Sequence, residues 1–253
     1  MKRTKSRIPK LKWRVISFDF DETLAYMDPP VHETIGIILE RHGVPGKARD
    51  IAEVLRDRSR ITRHPLLIRR GWGQLTEEER KEVFSHINRQ ILQQIGVTSN
   101  LDFLVNAIND EWFATKKLYP DVSEAFRQFK EMGLTIAIVA GPTSVTIKEV
   151  LEKYDLLGYI ECFATSDIVT PEFGPLLKEN GTAYLYVLEK TKSKPQEAVH
   201  VGDNPELDGD VPRDLGITPV LINRSKREDL GRAASKGYTV ISDMQQLLEI
   251  IKH

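Results

Sequence analysis

At 253 residues, with 29% charged and 40% hydrophobic side chains, the chain can bury a sizeable core and has an ordinary globular composition. A formal net charge of −1 excludes a global attraction to nucleic acid or membrane, and no apolar run has bilayer-spanning length. The single cysteine, Cys162, excludes an internal disulfide and a cysteine-clustered metal site, so the expected compartment is the cytoplasm.

The basic start, Met1–Arg7, has no apolar segment of signal-peptide type behind it and reads as a solvated end. Val15–Phe18 follows as an apolar run fit for a buried parallel strand, and it stops in Asp19-Phe20-Asp21-Glu22-Thr23. Unpaired carboxylates are costly to bury, so two of them at a strand end call for a cation, a substrate or a proton. In open α/β sheets that edge is where ligands bind. A calcium loop also starts Asp-x-Asp, but it needs glycine at its sixth place and glutamate at its twelfth. Here those places hold Leu24 and Pro30.

Between Tyr26 and Lys117 the pattern predicts helices without strands. Ile35, Ile38 and Leu39 share a helical face that stops at Gly43. Thr76 through Glu79 has capping-box spacing, and Val83, Phe84, Ile87, Ile91 and Ile95 continue one apolar stripe to Gly96. Leu101–Lys117 reads as a further helix carrying Leu104, Val105, Ile108 and Trp112. These stripes read as core packing. Arg56, Arg58, Arg60, Arg63, Arg69 and Arg70 crowd one region and read as a solvated face, with one of them aimed at a site. Such a set can also select an ester bearing a second anionic group. Trp72, between Gly71 and Gly73, is placed in a loop able to seal a cleft.

From Leu118 onward apolar runs alternate with amphipathic helices, the pattern of βαβ units. Helices are expected over Asp121–Met132, near Thr143–Tyr154, around Ala183–Lys192 and over Met244–Ile251. Strands are expected at Leu134–Val139, around Cys162, and at Ala198–Val201, Thr218–Ile222 and Tyr238–Ile241. The helical block is therefore an insertion after strand one.

Three more signals lie at or near strand ends. Val139-Ala140-Gly141-Pro142-Thr143 is a tight loop entering a helix, whose backbone N–H groups can bind an anion. Lys178 sits in a loop directly before a helix. Gly202-Asp203 through Asp208 is a glycine turn with two acids five apart. Cys162 reads as a small buried hydrophobe, and His200 as a packed strand residue. A carboxylate nucleophile, an acid/base, an anion loop, a cation and a magnesium-binding acidic cluster together suit phosphoryl transfer.

With these residues in view, the sequence resembles the phosphatase branch of the haloacid dehalogenase superfamily. Its Asp-x-Asp-x-Thr motif falls on Asp19, Asp21 and Thr23; its second motif on Ala140; its lysine on Lys178; and its Gly-Asp-x-x-x-x-Asp on Gly202, Asp203 and Asp208. Arg213-Asp-Leu-Gly216 also looks like the family. The resemblance implies a doubly wound, mostly parallel, Rossmann-like α/β core (1–26 and 118–253) with an α-helical cap domain (27–117). It implies a magnesium-dependent phosphatase of a small phosphorylated metabolite, with Asp19 as nucleophile, Asp21 as general acid/base and Lys178 as the neutralising cation. Ala140, Gly141 and Lys178 would bind phosphate. Magnesium would be held by Asp19, Asp203, the backbone carbonyl of Asp21, and Asp208 as ligand or support. Thr23 would tie down the loop. Two alternatives stay open: a phosphomutase, and a non-catalytic binding protein suggested by Ala140, which lacks the usual motif-two hydroxyl; either Thr143 or Ser144 reaches in to replace it, or the amides of Ala140 and Gly141 suffice. No nucleic-acid or membrane partner is expected, and the chain is expected to be a monomer or homodimer.

Overall fold

The computed structural model describes residues 12–252, and the basic run Met1–Arg7 lies outside them. Strand β1 (Val15–Phe18) is followed by a short strand β2 (Ala25–Asp28). Five helices come next: α1 (Val31–Arg41), α2 (Ala48–Leu55), α3 (Pro65–Arg70), α4 (Glu77–Gln94) and α5 (Leu101–Asp110). Strand β3 (Thr115–Leu118) returns the chain to an alternating series: α6 (Val122–Glu131), β4 (Thr135–Ala140), α7 (Ser144–Glu152) and β5 (Ile160–Thr165). After a two-residue ribbon, β6 (Val169–Thr170) and β7 (Gly174–Pro175), come α8 (Thr182–Thr191), β8 (Ala198–Gly202), α9 (Val211–Asp214) and β9 (Thr218–Ile222). The series ends with α10 (Glu228–Ser235), β10 (Thr239–Ile241) and α11 (Met244–Lys252).

Six strands form one parallel sheet in the order β10-β9-β8-β1-β4-β5. Side chains alternate across a strand, so each strand feeds two cores. Ile16, Phe18, Ile136, Ile138, Val199 and Val201 point into one apolar layer with Phe126, Phe129, Ile147 and Leu247, from α6, α7 and α11. Val15, Ala137, Val139 and Ala198 point the other way, onto Ala183, Tyr184, Val187 and Leu188 of α8. Helices thus cover both faces, which is why the central strands are apolar throughout. This is the expected doubly wound α/β sheet.

The helices between β2 and β3 bury a separate core, in which Ile35, Ile38 and Leu39 meet Ile51, Ile91, Leu92, Leu104 and Ile108. The capping box at Thr76 and Glu79 forms as read, with Thr76 Oγ1 accepting from the Glu79 N–H and Glu79 accepting from the Thr76 N–H.

Three expectations fail here. The block is not free of strands, because β2 and β3 pair antiparallel, Ala25 opposite Leu118 and Asp28 opposite Thr115. The helix expected over Leu101–Lys117 accordingly stops at Asp110, leaving Trp112 beyond its end and Thr115–Leu118 extended. Each strand's partner lies about ninety residues away, so no local pattern marks the ribbon. Phe84 also leaves the expected stripe: it is exposed on α4 and packs edge-on against Trp72, 4.9 Å between ring centres.

Candidate active site

Every part of the site hangs on the carboxyl edge of the central strands. The ladder pairs Phe18 with Ile138 on one side and Val201 on the other, so Asp19 leaves β1 just as Asp203 leaves β8 and Ala140 ends β4. The Asp19 N–H donates to the Val201 carbonyl at 2.8 Å, continuing the ladder one residue further. Beyond it the chain turns sharply, with Leu24 and Ala25 N–H groups both donating to the Phe20 carbonyl and Glu22 at a left-handed φ of 59°. Arg224, from the loop after β9, donates twice to the Thr23 carbonyl (3.2 and 3.1 Å) and ion-pairs with Asp121. Thr23 is fully buried and its hydroxyl donates to Asp19 Oδ2 at 3.3 Å.

Lys178 enters from the loop before α8. Its ammonium lies 2.6 Å from Asp19 Oδ1 and 2.5 Å from Asp208 Oδ1, and all three side chains are buried. Asp208 sits on a single π-helical turn, Pro205–Asp210, a distortion found most often at functional sites. That turn tucks Asp208 beneath Gly202, where a Cβ would lie 2.2 Å from the Asp208 carboxyl carbon; the glycine of the motif is a steric requirement. The other contacts of Asp208 are the Asn204 N–H (2.9 Å), His200 Nε2 (3.0 Å) and the Tyr184 hydroxyl (3.4 Å).

His200, read as packed, is indeed fully buried, and it also has polar work. Burial holds its imidazole below the usual histidine range, so the ring is neutral. With Nε2–H donating to the acceptor-only Asp208, Nδ1 accepts from the Ser17 hydroxyl at 2.9 Å. Tyr184 lies edge-on to this ring and donates to the Leu207 carbonyl at 2.7 Å. Asp208 is therefore held by three donors, Lys178, His200 and the Asn204 N–H.

Asp19, Asp203 and Asp208 offer carboxylate oxygens within 4.8 Å of one another. Burial is the largest influence on Asp19 and pushes its carboxyl up to about 8; Lys178 opposes that rise, and Asp208 and Asp203 reinforce it. Asp203 is likewise raised, by burial first, against the pull of Arg58 and Arg227. Burial would raise Asp208 too, but Lys178 and His200 hold it below the usual carboxylate range. Crowded, dehydrated carboxylates of this kind are a donor set that fits a hard divalent cation. Asp19 and Asp203 fit as ligands. Asp208, already shared among Lys178, His200 and a backbone N–H, fits as their support.

Asp21 stands apart from the cluster. Its side chain is half-buried at the mouth of the site and is held by Lys116 of β3, with contacts of 2.7 and 2.9 Å. Ala140 is buried at the end of β4, and the Gly141 carbonyl accepts from the Ser166 hydroxyl at 3.0 Å. The two nearby hydroxyls make local contacts. Thr143 caps α7, accepting from the Thr146 N–H, and Ser144 Oγ donates to Asp167 at 2.8 Å.

Sequence reasoning missed three groups and did not single out a fourth, Arg58, among the clustered arginines. Arg227, buried just before α10, donates to Asp203 and holds Asp229 with two further bonds (3.1 and 2.6 Å). Arg58, from the helical insertion, reaches Asp203 at 3.4 Å and Glu22 at 3.9 Å. Lys116 and Ser166 complete the set. Arg227 follows β9 within a few residues, a placement that could have flagged it; the others come from segments whose proximity only the fold creates. Of the six clustered arginines, Arg58 and Arg63 face the core, Arg63 pairing with Glu179 at 2.6 Å, while Arg56, Arg60, Arg69 and Arg70 are exposed. Trp72 does not seal the site; Gly73 beside it seats against Ser166, whose hydroxyl accepts the Gly73 N–H at 2.5 Å. Burial pushes the Cys162 thiol up to about 12, so it is inert.

A family model described as haloacid dehalogenase-like hydrolase matches residues 13–216. The chain is similar to a glyceraldehyde 3-phosphate phosphatase of Methanocaldococcus jannaschii, 30% identical over 135 residues that cover 53% of this chain and 57% of that protein. It is also similar to a phosphoglycolate phosphatase of Vibrio parahaemolyticus, 23% identical over 195 residues, 72% of this chain and 83% of the other. The chain thus spans a little over half the length of the archaeal relatives it matches. A crystal structure described as a predicted phosphoglycolate phosphatase from Haemophilus somnus shares the fold, with a TM-score of 0.58, 16% identity, and coverage of 94% of this chain and 98% of that one.

Proposed function

The chain belongs to the haloacid dehalogenase-like hydrolase family, and on that premise we propose that it hydrolyses a small-molecule phosphate monoester with Asp19 as nucleophile. One observation carries this reading: a buried ammonium, Lys178, bridges Asp19 and Asp208 at the strand edge while Asp203 crowds beside them. A purely structural role would not gather three carboxylates without a task for them, given the cost of burying charge.

Asp19 attacks phosphorus with one carboxylate oxygen, and the bond from phosphorus to the ester oxygen breaks. Asp21, oriented by Lys116, protonates the departing alcohol. It then takes a proton from the water that attacks the phosphoryl group on Asp19, releasing inorganic phosphate and restoring the carboxylate. Lys178 offsets the negative charge of Asp19 as the phosphate oxygens approach, and Arg58 and Arg227 add cations at the mouth of the site. Asp19, Asp203 and the Asp21 carbonyl would hold magnesium, which supplies charge neutralisation at the phosphoryl oxygens when bound. Asp208 keeps Lys178 in place. Ala140 offers phosphate only its backbone, together with that of Gly141, and the three cations stand in for the missing hydroxyl. Residues 27–117 act as the cap over this site, and the phosphorylated metabolite enters between cap and core.

The test is release of inorganic phosphate from an aryl phosphate with magnesium, comparing the parent with Asp19→Asn. The variant should lose about a thousandfold or more in kcat. Equal rates well above background would remove Asp19 from the nucleophile's place. Interconversion of hexose phosphates without phosphate release would favour a mutase.

A further inference from the structure

The site opens into one large cleft between the helical unit and the core, about 1420 Å³ in volume, reached past Asp21, Arg58 and Arg227. Small-molecule sites usually enclose about 300–1,000 Å³. A glycolate or glyceraldehyde leaving group, a few heavy atoms in size, would occupy a small fraction of this space and leave the rest to water.

The cleft wall is chemically one-sided. On the insertion side it presents Leu55, Ile61, Leu67, Ile68, Phe84 and Ile87. Ile68 and Phe84 are about half exposed, an unusual state for large apolar side chains set in a concave surface. The two amides on this wall do not make it polar, since Asn88 donates to Asn109 at 2.9 Å and Asn109 donates to Ser85 at 2.8 Å. Of the insertion's cations that face the core, Arg63 is bound to Glu179, and Arg58 lies at the phosphate end of the cleft beside Asp203. A second anionic group on the substrate would therefore meet aliphatic carbon along most of this wall; on the core wall opposite, Arg213 is paired with Asp210 and Arg232 with Asp57, and Lys236 lines the cleft farther from the phosphate end.

We propose that the alcohol released here is large and apolar, so that the substrate is the phosphate monoester of a long or bulky hydrocarbon alcohol. This inference rests on the phosphatase reading and narrows it. The phosphate sits among Lys178, Arg58 and Arg227, and the hydrocarbon lies along Leu67, Ile68, Phe84 and Ile87. Apolar area removed from water then supplies the binding free energy, and the preference scales with chain length.

The experiment measures kcat/KM for n-alkyl phosphates from ethyl to decyl, kept below their micelle concentrations, with phosphoglycolate as comparison. In parallel, calorimetry measures binding of the corresponding n-alkylphosphonates, which cannot be hydrolysed. Each methylene buried should raise kcat/KM and phosphonate affinity roughly fourfold until the cleft is filled. Ile87→Asn and Leu67→Asn, each checked for a cooperative thermal transition, should flatten both slopes. Flat slopes for the parent in both measurements, or a higher kcat/KM for phosphoglycolate than for decyl phosphate, overturn the proposal. If no ester is turned over while phosphonate affinity still climbs with chain length, the phosphatase reading fails and the apolar site stands.

Discussion

Lys178→Met removes the charge from a buried triad and keeps the length of the side chain. In the parent the ammonium lies 2.6 Å from Asp19 and 2.5 Å from Asp208, with Asp208 fully buried. Deleting one partner of a buried ion pair costs about 3–5 kcal/mol, because the remaining charge keeps its desolvation penalty and loses its compensation. Asp208 retains the His200 and Asn204 bonds but no cation, so the loss should fall near 4 kcal/mol by that principle. For a chain of this size that is a drop in Tm on the order of 10 °C. The assay is thermal and urea unfolding of both proteins in a chelator at pH 8. Adding Asp208→Asn to the lysine variant removes the orphaned charge, and the double variant should regain at least about 1 kcal/mol over the single one. The deficit should also shrink toward pH 5, where the carboxyls can take up protons. A lysine variant melting within about 2 °C of the parent at pH 8, equivalent to about 1 kcal/mol or less, would show that this ammonium does not neutralise the cluster.

Burial raises the Asp19 carboxyl from 3.8 to about 8, so between these values the folded chelated protein holds a proton that the unfolded chain has lost. Its stabilising contribution is complete below pH 4 and disappears as pH rises to 8; Tm in a chelator should therefore fall across pH 5–8 more steeply in the parent than in Asp19→Asn, and identical slopes would contradict this. Gly73→Ala would place a Cβ 2.1 Å from the Asp167 backbone nitrogen, so the insertion must pull away from the core at a cost of about 1–3 kcal/mol by urea unfolding. Gly158→Ala, which meets open space, should change stability by less than about 0.5 kcal/mol, and equal effects at the two positions would refute the close seating. Lys116→Ala frees the Asp21 carboxylate from its charged partner, worth about 1.5–3 kcal/mol, so kcat should fall roughly tenfold or more with KM little changed. An unaltered kcat would remove Lys116 from the orientation of Asp21.

The catalytic half of the molecule is largely legible because buried parallel strands announce themselves. Val15–Phe18, Thr135–Ala140 and Ala198–Gly202 are near-continuous apolar runs, and each ends where charge or glycine begins. Asp19, Asp203 and Asp208 were marked by these endings and Lys178 by its place before a helix in the family's order, and the sheet order brings them together. The support behind them is not legible in the same way. His200 alternates with valines in a strand, and only its neighbours Ser17 and Asp208 reveal that it holds the acid in place. Tyr184 looks like one more apolar position of α8 until its hydroxyl is placed at Leu207. Arg58 and Lys116 depend on how the insertion docks, which has no local signature. The Ala140 position carries a related lesson: proximity in sequence suggested Thr143 and Ser144 as substitutes, but Asp167 takes the Ser144 proton, and Thr143 serves as an acceptor at the start of α7.

The antiparallel ribbon of β2 and β3 carries both strands of the chain into and out of the insertion, side by side and in register. A doubled strap resists swivelling more than bending, so a cap hung on it would tip along one axis. Asp21 lies at the foot of one strand and Lys116 within the other, their charges in contact across the root of the strap. On the proposed reading of this block as a cap and of Asp21 as acid/base, a tilt of the cap would act on that contact directly.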